Sequence, residues 1–270
     1  MPQFTTPDGV SIHFTDAGSG PAVLAIPGLT RNTGDFDHVA PHLPVRLIRI
    51  DLRGRGRSGR ADPATYTVPH EAQDVLGLMD HLGLNRAAIL GTSRGGVIAM
   101  ALAAGARHRL TGVALVDIGP EIAPGGLAVI ASYVGKPPAQ KTWDEAARFR
   151  ARTWSGFTDV PMERWLHEVR NHYEQTPDGL ALRYDPALGD AFKDGAQPVP
   201  DMWPLFDAMA GLPLVLIRGA NSDLLTTDTA AEMRRRRPDM IRADVPGRGH
   251  VPFLDEPEAL AALHDWIARL

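Results

Sequence analysis

Residues 87–106 constrain the chain more tightly than any other stretch. Ala87–Leu90 is a short, continuously apolar run of the kind that forms a strand covered on both faces, and Ser93–Ala106 has helical spacing. Between them stands Gly91-Thr92-Ser93-Arg94-Gly95, so strand must pass into helix through one tight turn. Such a turn holds its central residue in a strained backbone conformation. It also leaves no room for a β-carbon two positions to either side, which is the physical reason for glycine at 91 and 95. With 27 glycines and seven serines in 270 residues, a G-x-S-x-G match is expected by chance only about 0.07 times. The alternative is a glycine-rich turn whose serine is a spectator; context and rarity argue against it.

The rest of the chain has a matching rhythm. Val10–Phe14 alternates apolar with polar and reads as an edge strand. Ala22–Ile26, Val45–Ile50, Gly112–Val116, Leu214–Ile217 and Ile241–Val245 read as further strands, most of them continuously apolar. Helical patterns cover Pro69–Leu82, Thr227–Arg236 and Pro257–Leu270. Strand–helix alternation predicts an α/β fold, a mostly parallel sheet flanked by helices. From about Ile118 to Gly211 the rhythm breaks. This stretch has no convincing strand, its Trp143–Trp154 and Met162–Tyr173 segments look helical, and it holds eleven of the seventeen aromatic residues. It reads as a helical insertion presenting an apolar surface, or as a second helical layer with its own core.

Composition narrows the function classes. A net charge of -4 excludes a whole-protein basic footprint for nucleic acid. The absence of cysteine excludes disulfides, thiol catalysis and cysteine-ligated metal sites, and fits a reducing, cytoplasmic setting. The opening MPQFTTPDGVSIHF has neither a basic nor a long apolar region, so no signal peptide is expected. No 18-residue apolar run occurs, so a soluble protein without a membrane partner is expected.

A serine hydroxyl is a weak nucleophile near neutral pH and needs a base within hydrogen-bond reach. Of ten histidines, His250 is set apart by its loop, Pro246-Gly247-Arg248-Gly249-His250, which follows a strand and precedes the last helix. That places it at the same end of a parallel sheet as Ser93. The other nine, His172 among them, read as surface or packing residues. An imidazole in this role needs a carboxylate to fix its tautomer, and two acids stand just past strand ends on that side. Asp223 gives the chain order Ser, Asp, His and is the preferred acid. Asp117, directly after Gly112–Val116, is the alternative.

Two decoys need weighing. Gly54-Arg55-Gly56-Arg57-Ser58-Gly59 is a literal G-x-G-x-x-G after a strand, but Asp62-Pro63 and Pro69 follow where a dinucleotide-binding helix would have to open. The arginines of that loop, and Arg234–Arg237, read as solvated faces rather than nucleic-acid patches. No helix face carries paired ligand spacing, so no metal and no cofactor are expected.

Beyond the Ser93 turn, several segments resemble the α/β-hydrolase superfamily. Pro27-Gly28-Leu29 stands where that family carries its oxyanion-hole turn. Asp51-Leu52-Arg53-Gly54-Arg55-Gly56-Arg57-Ser58 resembles its D-x-R-G-x-G-x-S loop, and Gly249-His250-Val251-Pro252-Phe253 with Glu256-Pro257 its histidine loop. The resemblance covers residues 1–118 and 211–270, with 119–210 in the place of the variable helical cap, and implies an eight-stranded-type sheet. It further implies a serine hydrolase in which the main-chain N–H groups of Leu29 and Arg94 form the oxyanion hole, with a small-molecule ester as substrate. Lactone hydrolysis and C–C bond hydrolysis of ring-cleavage products are rivals; the latter enzymes often have Trp after the histidine, where Val251 stands here. A ligand receptor on the same fold is the non-enzymatic alternative. Three positions depart from the family: Pro27 where histidine is common, a Gly219–Asp223 run one residue longer than usual, and a charged Arg94 that either salt-bridges locally or faces the pocket.

Overall fold

The computed structural model describes residues 2–192 and 200–270. The chain begins with strands β1 (Gln3–Thr5), β2 (Ser11–Ala17), β3 (Ala22–Ile26) and β4 (Arg46–Ile50). Helix α1 (Val68–His81), β5 (Ala87–Thr92), helix α2 (Arg94–Ala106) and β6 (Leu110–Val116) follow. An excursion then adds α3 (Pro124–Tyr133), α4 (Trp143–Thr153), α5 (Met162–His172), the strands β7 (Tyr173–Thr176) and β8 (Gly179–Leu182), and α6 (Trp203–Asp207). The chain returns through β9 (Leu214–Gly219), α7 (Thr227–Arg236), β10 (Ile241–Val245) and α8 (Pro257–Ile267).

Among the described residues eight strands form one sheet in the order β1-β2-β4-β3-β5-β6-β9-β10. The first two pairings are antiparallel and all others parallel. The expected α/β architecture is therefore formed, with two corrections. The strand expected at the edge, Val10–Phe14, lies one place inside it, because Gln3–Thr5 pairs with Ser11–His13 and takes the edge itself. The stretch expected to lack strands contains the β7–β8 hairpin, in which Tyr173 faces Leu182. Four-residue strands carry too little alternation to be read from pattern. Residues 193–199 of the expected insertion lie outside the described residues.

Side-chain alternation assigns each face of the sheet its cover. Leu24, Ile26, Ile89, Val113, Leu115, Leu214 and Leu216 join one core with Val75 and Leu78 of α1 and Ile98 and Leu102 of α2. Their neighbours Val23, Ala25, Ala88, Leu90, Ala114, Val116, Val215 and Ile217 join the other with Leu263 and Trp266 of α8. Runs that are apolar at every position are thus split by the two-residue period between two buried faces. The excursion has a small core of its own, where Ala146 and Ala147 of α4 meet Trp165 and Val169 of α5 and Leu180 of β8.

What positions the functional end of the sheet is the closeness of α2 to β3. A β-carbon on Gly95 would stand 2.1 Å from the Ile26 carbonyl oxygen, and one on Gly91 2.5 Å from the Gly95 oxygen. Backbone atoms on both sides leave nothing to yield. Gly105, at the far end of the same helix, is exposed and would meet nothing within 4 Å. Gly95→Ala is therefore expected to cost about 3 kcal/mol or more, or to abolish folding. Gly105→Ala is expected to gain roughly 0.5–1 kcal/mol, the helix-interior difference between the two residues. Denaturant unfolding of both variants checks this pair.

Candidate active site

Ser93 sits at the joint between β5 and α2 with φ of 49° and ψ of -111°, the strained turn its flanking glycines permit. Its N–H donates to the Val116 carbonyl at 2.9 Å, which ties the turn to β6. Its Oγ is 3.0 Å from Nε2 of His250, carried on the loop between β10 and α8. The other ring nitrogen, Nδ1, is 2.7 Å from Oδ2 of Asp117. A carboxylate only accepts, so Nδ1 carries the proton and Nε2 is free to accept from the serine hydroxyl.

The carboxylate that meets the imidazole is Asp117, not the preferred Asp223. Asp117 leaves the end of β6 with φ of 51° and its side chain is fully buried. Its Oδ1 accepts from the Gly219 N–H at 2.8 Å and its Oδ2 from the Ser222 hydroxyl at 2.6 Å, in addition to His250. The end of β9 and the loop after it supply those two donors, whereas Asp223 is exposed beyond them. Within that loop the Ser222 N–H turns back to the Gly219 carbonyl and the Asn221 N–H donates to Arg248. This folding points Ser222 inward, and the longer run at 219–223 carries the carboxylate past the imidazole. Ser222 was not legible in advance, since a lone serine in a loop has no pattern.

The two main-chain N–H groups singled out earlier lie beside Ser93. Leu29, Ser93 and Arg94 line one cavity, and Gly28 lets the turn approach: a β-carbon there would be 3.8 Å from that of Ser93. Among the described residues no protein group accepts from the N–H of Leu29 or of Arg94. Arg94 opens α2, whose N-terminal dipole also points to this spot.

Behind these donors lies a buried charge cluster. Arg55 donates from Nε to the Leu29 carbonyl at 2.9 Å, and its Nη2 stands 2.8 Å from Oε1 of Glu71. That ion pair, fully buried on both sides, is close but not aligned for a hydrogen bond. Glu71 Oε2 accepts from Nε of Arg94 at 2.7 Å. Arg94 thus does both things weighed for it: it salt-bridges locally and its side chain lines the cavity. Of the arginines read as solvated, Arg57 and Arg234–Arg236 are exposed, whereas Arg55 and Arg237 are buried, as is the neighbouring Arg53. Arg53 and Arg55 are 2% and 1% exposed, and Arg53 pairs with Asp74 at 2.7 Å. The dinucleotide alternative ends here too. Asp51 fills the loop, accepting from the N–H groups of Thr33 and Arg57, where a phosphate would need positive charge.

The cavity at Ser93 holds about 450 Å³ and is walled largely by apolar side chains: Val97, Ile118, Ile122, Leu127, Ile130 and Leu224 among them. Leu127 and Ile130 come from α3, so the excursion forms part of its wall. Among the described residues no group of three His, Asp or Glu side chains is arranged to hold a metal ion. None of the described helices is long and apolar enough to cross a membrane.

Residues 23–263 match the alpha/beta hydrolase family. The 3-hydroxybutyrate-oligomer hydrolase of Cupriavidus necator is 35% identical, over 93% of this chain and 90% of that protein. The 2-(acetamidomethylene)succinate hydrolase of Mesorhizobium japonicum is 24% identical, over 96% of this chain and 92% of its own length. Among solved structures, an alpha/beta hydrolase from Novosphingobium aromaticivorans superposes with a TM-score of 0.93 at 38% identity, covering 100% of this chain and 98% of that one.

The two acids make opposite forecasts for Ser93 reactivity. Asp117→Asn is expected to slow covalent modification of Ser93 by a fluorophosphonate by a factor on the order of 10⁴, the loss seen when an aspartate that orients a catalytic imidazole is amidated. Asp223→Asn is expected to leave the rate within about threefold of wild type, as a surface change does. Mass spectrometry of the labelled protein over time reads both.

Proposed function

This chain belongs to the alpha/beta hydrolase family, and we propose that within it the protein is a serine hydrolase cleaving carboxylic esters through an acyl-enzyme. The observation that carries the reading is the hydrogen-bonded series Asp117–His250–Ser93, with contacts of 2.7 and 3.0 Å. Ser93 Oγ attacks the acyl carbonyl as its proton passes to Nε2 of His250. Asp117 holds the imidazole in the required tautomer and stabilises the imidazolium. The oxyanion accepts from the N–H groups of Leu29 and Arg94; a donor of this kind is worth about 3–4 kcal/mol of transition-state stabilisation. His250 then returns the proton to the leaving alkoxide. Water, deprotonated by the same nitrogen, attacks the acyl-enzyme, and Ser93 leaves protonated.

Residues 1–118 and 211–270 carry this chemistry, and residues 119–210 act as a cap that bounds the substrate. The apolar wall beside Ser93 suits an aliphatic acyl or alcohol portion of small to medium size. The relative that acts on 3-hydroxybutyrate oligomers supports the ester assignment, because hydroxy acids are joined into oligomers through ester bonds.

Ser93→Ala is expected to lower kcat on 4-nitrophenyl butanoate by a factor on the order of 10⁴ or more while leaving the thermal transition in place. Wild-type enzyme quenched in acid during turnover is expected to carry the acyl group on Ser93. Activity of the variant within about tenfold of wild type overturns the serine mechanism.

A further inference from the structure

A second cavity, of about 330 Å³, lies across the Leu29–Arg31 turn from the first and is lined by Thr30, Arg31, Tyr133, Arg150, Tyr173 and Tyr184, among others. It differs from the first in charge. Arg150 is 6% exposed, and among the described residues no carboxylate lies within ion-pair distance of it. Its guanidinium stands over the rings of Trp154 and Tyr173, at 4.8 and 5.1 Å from their centres. Among the described residues two acceptors meet its five N–H groups: Nδ1 of His172 at 2.8 Å and the Tyr173 hydroxyl at 3.2 Å.

Arg31 Nη1 approaches the same Nδ1, also at 2.8 Å, and meets Nε2 of the ring as well, so two guanidinium groups crowd one imidazole. That imidazole brings no negative charge. Burial, then the two arginines, hold His172 well below the usual histidine range, so it is neutral. Its Nε2 lies 2.9 Å from Oδ1 of Asp35, and its Nδ1 meets Arg150. The two acids of the cluster, Asp35 and Glu168, both lie on the Arg31 side, at 3.9 and 3.3 Å from its guanidinium. Arg150 is left as a buried cation facing the second cavity with no carboxylate in direct contact, Asp35 acting on it only from farther away. A buried charge in that state is costly until an anion meets it.

The place of this cation relative to the chemistry gives it a use. A small void touching Arg31 and Arg150, and also Asp35 and Glu168, is walled by Thr92 and Val251, the chain neighbours of Ser93 and His250. The turn that offers the Leu29 N–H to one cavity offers Thr30 and Arg31 to the other. Resting on the serine-hydrolase reading, we propose that the second cavity binds a free carboxylate of the substrate through Arg150. The esters cleaved are then those of carboxylate-bearing chains, half-esters of dicarboxylic acids or ester-linked hydroxy acids. The Arg150 guanidinium, without a carboxylate in direct contact and with the exposed Lys136 in the same lining, suits a carboxylate through its planar fork of donors. A phosphate dianion would bring a second negative charge toward Glu168 and Asp35.

The test compares mono-4-nitrophenyl adipate with methyl 4-nitrophenyl adipate, which differ only in whether the remote end is charged. Wild-type enzyme is expected to favour the acid by at least about tenfold in kcat/KM, chiefly through KM, as an extra charge-assisted contact would give. In Arg150→Gln that ratio is expected to fall to near one, and in Arg150→Lys, which keeps charge but loses the fork, to an intermediate value. Equal kcat/KM in wild type, or an undiminished ratio in Arg150→Gln, overturns the proposal. Should the glutamine variant not fold, inhibition of the methyl ester reaction by free adipate in wild type gives the same decision: competitive inhibition supports the site, and none at tens of millimolar overturns it. If both esters acylate Ser93 equally well, the carboxylate site alone fails. If neither acylates Ser93, the serine-hydrolase reading fails with it.

Discussion

The close packing of α2 against β3 is the constraint from which the site follows. The Ile26 carbonyl lies where a side chain on Gly95 would begin, and Ile118 crowds Gly96 in the same way, at 2.3 Å from a notional β-carbon. A helix held that tightly must start abruptly. Ser93 pays for the abruptness with its positive φ, and in exchange its hydroxyl stands clear of both strand and helix. The same contact brings the first N–H of α2 close to the turn after β3. Strand order then does the rest: β3, β5, β6, β9 and β10 run parallel, so their carboxyl ends deliver Leu29, Ser93, Asp117, Ser222 and the His250 loop to one edge.

Electrostatics hold this arrangement where packing alone would leave it loose. Glu71 sits between two arginines, one bonded to the carbonyl of Leu29 and the other being Arg94 itself. A single buried carboxylate is therefore coupled to both Leu29 and Arg94, which line the Ser93 cavity. Buried ion pairs of this kind contribute little net stability compared with apolar packing, but removing one partner strands the other and costs several kcal/mol. Their value here is positional. The Asp117 carboxylate is treated similarly, with Gly219 donating to Oδ1 and Ser222 to the same Oδ2 that meets His250.

The excursion between β6 and β9 supplies what the sheet cannot. Its core of small and aromatic side chains makes α4 and α5 a unit, and α3 lays Leu127 and Ile130 over Ser93. The hairpin fastens it to the loop after β4, where the Gly56 N–H donates to Arg183 and the Asp185 N–H to Gly54. That loop carries Arg55, so the wall of the Ser93 cavity and the anchor of the Leu29 turn are joined through a few backbone bonds. Arg150 and His172 come from the excursion and Arg31 from the sheet, and their meeting creates the charged cavity.

The sequence by itself determined the sheet, its helices, the serine turn and the histidine loop, because each is a local matter. A two-residue period, a run of helical spacing, or two glycines flanking Ser93 are legible without knowing what lies across the molecule. The choice between Asp117 and Asp223 was not local. Both stand just past a strand end, and only the path of the 219–223 loop, set by hydrogen bonds to Arg248 and Asp117, decides which carboxylate meets the ring. The arginines were illegible for the same reason. Charge in a sequence looks solvated until a partner from a distant segment is known, and Glu71 for Arg55, Asp74 for Arg53 and His172 for Arg150 are all brought by tertiary folding. Strand and turn propensities act over a few residues, whereas the burial of a charge depends on which remote groups arrive to share it.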